Sequence, residues 1–158
     1  MSVPNLSNVG TCKRRPLRLL VARGLLLDPC MDAEKARILI VDDEEAILSA
    51  MSEFFTIAGF DVDCAQELEE AEALLCHREY ALIIADLRLS GTNGAEGLEI
   101  LRFVDERCPK TRSILLTAYG SPEVEIQARQ RGSSVFLRKP TPLPELLRVA
   151  TELLRRPQ

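Results

Sequence analysis

Tyr80-Ala-Leu-Ile-Ile-Ala-Asp-Leu-Arg-Leu-Ser90 is a short aliphatic run that ends in a carboxylate, Asp86. Such a run, bounded by polar residues, reads as a strand buried on both faces, the kind found in the middle of a parallel sheet. The acid therefore falls where a buried strand ends. In open α/β sheets that carboxyl edge is where ligands bind, so the reading turns on whether other strands deliver matching groups to the same edge.

Upstream, Ile38-Leu-Ile-Val41 has the same character and is followed at once by Asp42, Asp43, Glu44 and Glu45, acids that suit the positive end of a helix. That helix should run to about Ala58 with Ile47, Ala50, Met51, Phe54 and Ile57 as its apolar face, and Gly59 should stop it. Phe60-Asp-Val-Asp-Cys-Ala65 alternates and reads as a more exposed strand near a sheet edge, while Leu68, Ala71, Leu74 and Leu75 mark a second helix ending near His77. Downstream of Asp86 come a glycine-rich loop, Ser90 to Gly97, and a helix from about Leu98 to Arg107 closed by Pro109. Ser113–Thr117 is a fourth strand, Ser121-Pro122 opens a polar helix that Gly132 ends, and Val135–Leu137 is a short fifth strand running into Lys139-Pro140. A last helix opens at Thr141 or Pro142 and carries two apolar stripes. One is Leu146, Val149 and Leu153, the other Leu147, Ala150 and Leu154, which leaves open core on both or a partner face on one. Five strands alternating with five helices give right-handed βαβ units and a parallel sheet covered on both faces, an α/β fold.

Composition fits that reading. The chain has 158 residues, 46% hydrophobic and 28% charged, as expected of a soluble globular domain rather than a disordered segment. No apolar run approaches the ~20 residues of a membrane helix, so no membrane span and a cytoplasmic location are expected. Residues 1–30 carry five basic side chains against one acid, so with a net charge of −4 the remainder carries −8. An acidic main domain argues against a nucleic-acid surface, which needs clustered Lys and Arg. The basic start is expected either to be an N-terminal extension, residues 1–36, that is disordered or binds a partner or a membrane surface, or to lie upstream of a true start at Met31. The five cysteines are widely spaced with no CxxC pair, and are expected to be buried or idle thiols rather than a disulfide frame or zinc site. His77, the single histidine, reads as a solvated surface residue.

The strand ends then deliver Asp42 and Asp43, Asp86, Thr117 and Lys139 to one edge. Converging carboxylates repel unless a cation joins them, and hard oxygens without Cys or His favour Mg²⁺. Lys139 adds a compact positive charge and Thr117 a hydroxyl donor, so the set suits a phosphoryl group with a carboxylate placed to attack it.

These residues resemble those of the receiver domain of two-component response regulators, over residues 37–156: the acidic pair after strand one, the acceptor acid after strand three, Thr117-Ala118 after strand four and Lys139-Pro140 after strand five. The resemblance implies a flavodoxin-like, doubly wound (βα)5 fold with strand order 2-1-3-4-5, similar to CheY. It implies that Asp86 takes a phosphoryl group from a sensor histidine kinase or a phosphotransfer protein. Mg²⁺ would be held by Asp43, Asp86 and the backbone carbonyl of Arg88, with Asp42 acting mainly through a water. Thr117 and Phe136 would form the switch, and the fourth helix, fifth strand and fifth helix the output face and a possible homodimer contact. Arg88 and Tyr119, at the family's two tuning positions, would shield the phosphoryl group from water. Ser90 replaces the family's usual Pro, Gly94 keeps its Gly, and Ala95-Glu-Gly97 reads as about three added loop residues. The expected function is a stand-alone receiver acting on an unknown downstream protein, with no enzymatic activity beyond its own phosphorylation and dephosphorylation. A phosphorelay intermediate or phosphate sink is the alternative. A small Mg²⁺-dependent phosphatase fits less well, because such enzymes need an acid where this chain has Arg88.

Overall fold

In a computed structural model of the protein the described residues are 35–87, 96–118, 125–126, 129–130 and 135–156. They form, in order, β1 (Arg37–Val41), α1 (Glu45–Ile57), β2 (Asp61–Ala65), α2 (Leu68–His77), β3 (Leu82–Asp86), α3 (Glu96–Arg107), β4 (Arg112–Thr117), β5 (Val135–Arg138) and α4 (Leu143–Arg155). The five strands make one sheet in the order β2-β1-β3-β4-β5, every neighbouring pair parallel. This is the flavodoxin-like order expected from the sequence. Of the polar helix expected between Ser121 and Gly132, Glu125, Ile126, Arg129 and Gln130 are described, and they are helical.

The central strands read as unbroken aliphatic runs because the sheet has a core on each face. Alternate residues point opposite ways, so Leu39, Val41, Ile83, Ala85 and Leu115 pack under α2 and α3. Ile38, Ile40, Leu82, Ile84, Ile114 and Leu116 pack under α1 and α4. The edge strand β2 is half-exposed along most of its length, which is why its sequence alternates.

Two expectations change, and one open alternative is decided. In α1 the buried residues are Leu48, Met51 and Phe55, and the expected Ile47 and Phe54 pack half-buried against the same core, whereas Ala50 is exposed and Ile57 is 74% exposed. The helix carries two stripes one residue out of phase, and periodicity alone does not choose between them. The face that is buried packs on Ile38, Ile40, Leu82 and Ile84 of the sheet, and at the helix start the Asp42 carboxylate accepts the Glu44 backbone N–H at 3.0 Å. Second, α3 begins at Glu96, so Glu96 and Gly97 belong to the helix and not to a lengthened loop. A glycine there is tolerated because first-turn N–H groups have no intrahelical partner to lose. Of the two readings left open for α4, core on both stripes holds: Leu146, Ala150 and Leu153 are buried, and Leu147, Val149 and Leu154 pack half-buried against the same cluster. The helix has one wide apolar face.

Gly59 ends α1 as expected, at φ 102°. Its N–H bonds the Thr56 carbonyl at 3.0 Å and the Phe60 N–H bonds that of Phe55 at 3.1 Å, the paired bonds of a Schellman stop.

Candidate functional site

Each parallel strand ends at the same edge, so the residue following an aliphatic run emerges from the core with its backbone held by the sheet. Asp42 follows β1 and keeps its N–H on the Ala65 carbonyl at 3.2 Å. Asp86 closes β3 opposite Leu116, and the next N–H, that of Leu87, bonds the Leu116 carbonyl at 2.8 Å. Thr117 closes β4, and its carbonyl accepts the Lys139 N–H at 2.7 Å, just past β5. Lys139 is followed by a cis bond to Pro140. Four strands thereby fix the groups that the sequence pointed to.

Asp42, Asp43 and Asp86 each offer a carboxylate oxygen, and these oxygens lie within 4.8 Å of one another. Asp42 is 2% exposed, Asp86 half-buried and Asp43 exposed. Lys139 bridges two of them, its Nζ donating to Asp42 Oδ2 at 2.8 Å and to Asp86 Oδ2 at 3.0 Å. Burial works against the Lys139 charge, but its hydrogen bonds to Asp42 and Asp86 and their charges outweigh it, so its pKa is held above the ordinary lysine value. Both Asp42 oxygens are engaged, Oδ2 by Lys139 and Oδ1 by the Glu44 N–H at 3.0 Å. Asp43 carries the outward carboxylate of the cluster. A set of three acidic oxygens beside one ammonium has the donor chemistry for a hard divalent cation and for the oxygens of a phosphoryl group.

The family model of the response regulator receiver domain matches residues 38–151. The chain belongs to the response regulator receiver family. Among relatives, the photosynthetic apparatus regulatory protein RegA of Rhodobacter capsulatus is 34% identical over 103 residues, which cover 65% of this chain and 54% of RegA. The chain thus spans about half the length of that relative. Among solved structures, a CheY-like receiver domain protein from Methanospirillum hungatei superposes with a TM-score of 0.71 at 28% identity, covering 77% of this chain and 94% of that one. A response regulator from Burkholderia pseudomallei, solved with a phosphorylated aspartic acid, calcium ion and citrate, superposes with a TM-score of 0.64 at 26% identity, covering 78% and 76%.

In this receiver domain Thr117 is buried, and Phe136 on β5 lies opposite Leu115, two residues before Thr117 on the same face of the sheet. Phe136 is half-buried against the core under α2 and α3. Arg88 and Tyr119, with Ser90, Gly94 and Ala95, lie outside the described residues. Among the described residues no helix is long and apolar enough to cross a membrane.

A second polar cluster escaped the sequence reading. Asp63 on the edge strand accepts two hydrogen bonds from Arg78 Nη1, both at 2.8 Å, and one from the Tyr80 hydroxyl at 2.8 Å. Burial alone would raise the Asp63 pKa, but the bonds from Tyr80 and Arg78 and the Arg78 and Arg37 charges hold it below the usual value. The Tyr80 hydroxyl is pushed up, first by burial and then by its bond to that carboxylate. The cluster ties β2 to the segment entering β3, away from the carboxyl edge.

Proposed function

We propose that residues 37–156 act as a phosphorylation-dependent signalling receiver in which Asp86 accepts a phosphoryl group from a phosphohistidine on a sensor kinase or phosphotransfer protein. The observation that carries this is the Lys139 ammonium bridging Asp42 and Asp86, with Asp43 beside them, at the end of a buried central strand. An Asp86 carboxylate oxygen attacks phosphorus in line, the P–N bond to the donor imidazole breaks, and the imidazole nitrogen keeps that electron pair and takes a proton. The acid cluster fits Mg²⁺, with Asp43 and Asp86 as direct holders and Asp42 acting through water, since both its oxygens already accept hydrogen bonds. Bound there, Mg²⁺ supplies positive charge to the phosphoryl oxygens.

Lys139 exchanges its bond to Asp86 for one to the phosphoryl group, keeping the charge local. Thr117 turns its hydroxyl toward the same group, and Phe136, on the same face, packs into the space this opens. Phe can fill the space but has no hydroxyl to donate from it. A phosphoryl group adds close to two negative charges, and its effect on β5 and its neighbouring helices is read by a downstream protein in the cytoplasm. The phosphorylated aspartic acid in the related Burkholderia pseudomallei structure supports this assignment of Asp86.

The test is incubation with Mg²⁺ and a small phosphodonor, beside Asp86→Asn. The native chain should gain an acid-stable, base-labile phosphoryl group that Asp86→Asn lacks. Equal labelling of both proteins, or labelling of neither, sinks the assignment.

A further inference from the structure

The helix ends at the edge of the sheet opposite the acid cluster form a groove of about 1070 Å³, whose lining includes Cys76, Cys108, Lys35, Arg78, Arg107 and Lys110. Cys76 is exposed in the last turn of α2, and Cys108 is half-buried just after α3. Cys108 is fixed on both sides: its N–H bonds the Val104 carbonyl at 2.8 Å, and its carbonyl accepts the Thr111 N–H at 2.8 Å in a turn through Pro109. Its thiol sits 3.9 Å from the Leu75 carbonyl oxygen, which belongs to the peptide bond leading into Cys76. Across a trans peptide that oxygen is about 2.8 Å from the next Cα, so the Cys108 sulfur lies within about 6.7 Å of the Cys76 Cα. A cysteine sulfur is about 2.8 Å from its own Cα, so the two Cα atoms lie within about 9.5 Å of each other; a disulfide needs about 6.8 Å or less, and the closing shift falls on helix ends, where the backbone frays and adjusts most readily. Independently, the Cys108 thiol is pushed up, first by burial and then by the neighbouring Cys76, with Arg107 opposing.

We infer that Cys76 and Cys108 are a paired oxidation site, converted to an intramolecular disulfide by a low-molecular-weight anionic disulfide such as oxidised glutathione. The exposed Cys76 thiolate attacks one glutathione sulfur, the S–S bond breaks, and one glutathione leaves as thiolate, forming a mixed disulfide on Cys76. Cys108, deprotonated, then attacks the Cys76 sulfur and expels the second glutathione. In sum, two protein thiols lose two electrons and two protons, and one glutathione disulfide becomes two glutathione thiols. The basic lining of the groove favours an oxidant carrying carboxylates. The bond closes a loop holding β3 and α3 and pins the end of α2 to the end of α3.

The test uses the full reduced chain in glutathione buffers of fixed oxidised-to-reduced ratio, followed by peptide mapping without reductant. The native chain should yield a peptide joining Cys76 to Cys108 and melt at a higher temperature than its reduced form, returning when reductant is added. Cys108→Ser should stop at glutathione on Cys76, and Cys76→Ser should leave Cys108 unmodified over the same interval. A glutathione adduct that persists on Cys76 of the native chain as long as in Cys108→Ser overturns the pair. So does a joined peptide that forms only after denaturation, a result that needs no variant to fold.

Discussion

At the scale of single residues, Lys139 is both the partner of the acid cluster and its competitor. Its Nζ holds Asp42 Oδ2 at 2.8 Å and Asp86 Oδ2 at 3.0 Å, oxygens that belong to the group a divalent cation would draw on. Removing a positive charge so close to the cluster should strengthen cation binding, while removing the phosphoryl partner should weaken phosphoryl acceptance. Lys139→Gln is therefore expected to bind Mg²⁺ about tenfold more tightly, on the order of 1.4 kcal/mol, and to accept phosphoryl groups more slowly. The chain has no tryptophan, so calorimetric titration is the suitable measurement; unchanged or weaker Mg²⁺ binding would contradict the competition. Tyr80→Phe should cost about 1 kcal/mol in urea unfolding, because it removes one bond to a charged acceptor that keeps its Arg78 contacts. The acid cluster was legible because each member follows an aliphatic run, and the end of a buried strand is a place that sequence marks clearly. Asp63, Arg78 and Tyr80 were not, being 15 and 17 residues apart and each resembling an ordinary surface or core residue by itself. Cys76 and Cys108 were hidden for the same reason: their neighbourhood is made by two helix ends, and no local spacing encodes it.

At the scale of elements, α1 shows what hydrophobic periodicity does and does not carry. It announces a helix of the right length, but Ile47, Leu48, Phe54, Phe55 and Ile57 supply more apolar residues than one face can hold, so the stripe is ambiguous by one residue. Leu48→Ala should lose about 2–5 kcal/mol as a buried truncation, while Ile57→Ser, at a position 74% exposed, should stay within about 0.5 kcal/mol of the native protein. The reverse order of effects would restore the phase read from the sequence. Gly59→Ala should cost about 1 kcal/mol although no atom lies near an added Cβ, because the penalty comes from φ 102° alone. Crowding would give a larger loss, and a variant as stable as the native protein would refute the strain. The start of α3 was misread by two residues because Gly97 resembles loop sequence, whereas the first turn of a helix makes few demands on its residues.

At the scale of the whole molecule, the two faces of the sheet supply stability, the carboxyl edge carries the acid cluster and Lys139, and several buried groups have a protonation tied to folding. Asp63 is held below its usual pKa. A depressed carboxylate contributes stability above its unfolded value, about pH 3.9, and that contribution disappears as pH falls through the folded value. Tyr80 is raised mainly by burial, as are the thiols of Cys64 and Cys108. A raised group contributes below its unfolded value and loses that contribution as pH rises through the folded one, so losses begin near about pH 8.5 for the thiols and about pH 10 for the tyrosine. The urea midpoint should therefore be level between about pH 4 and about pH 8.5 and fall on both sides. Because Tyr80 and Asp63 share one hydrogen bond, Tyr80→Phe should flatten both limbs at once: it removes the phenol that must ionise on the alkaline side and a bond that holds the carboxylate down on the acid side. If only the alkaline limb changed, Arg78 and Arg37 would set the Asp63 shift without the tyrosine. A midpoint that rose between about pH 9 and about pH 11 would reverse the sign required by every raised group named here.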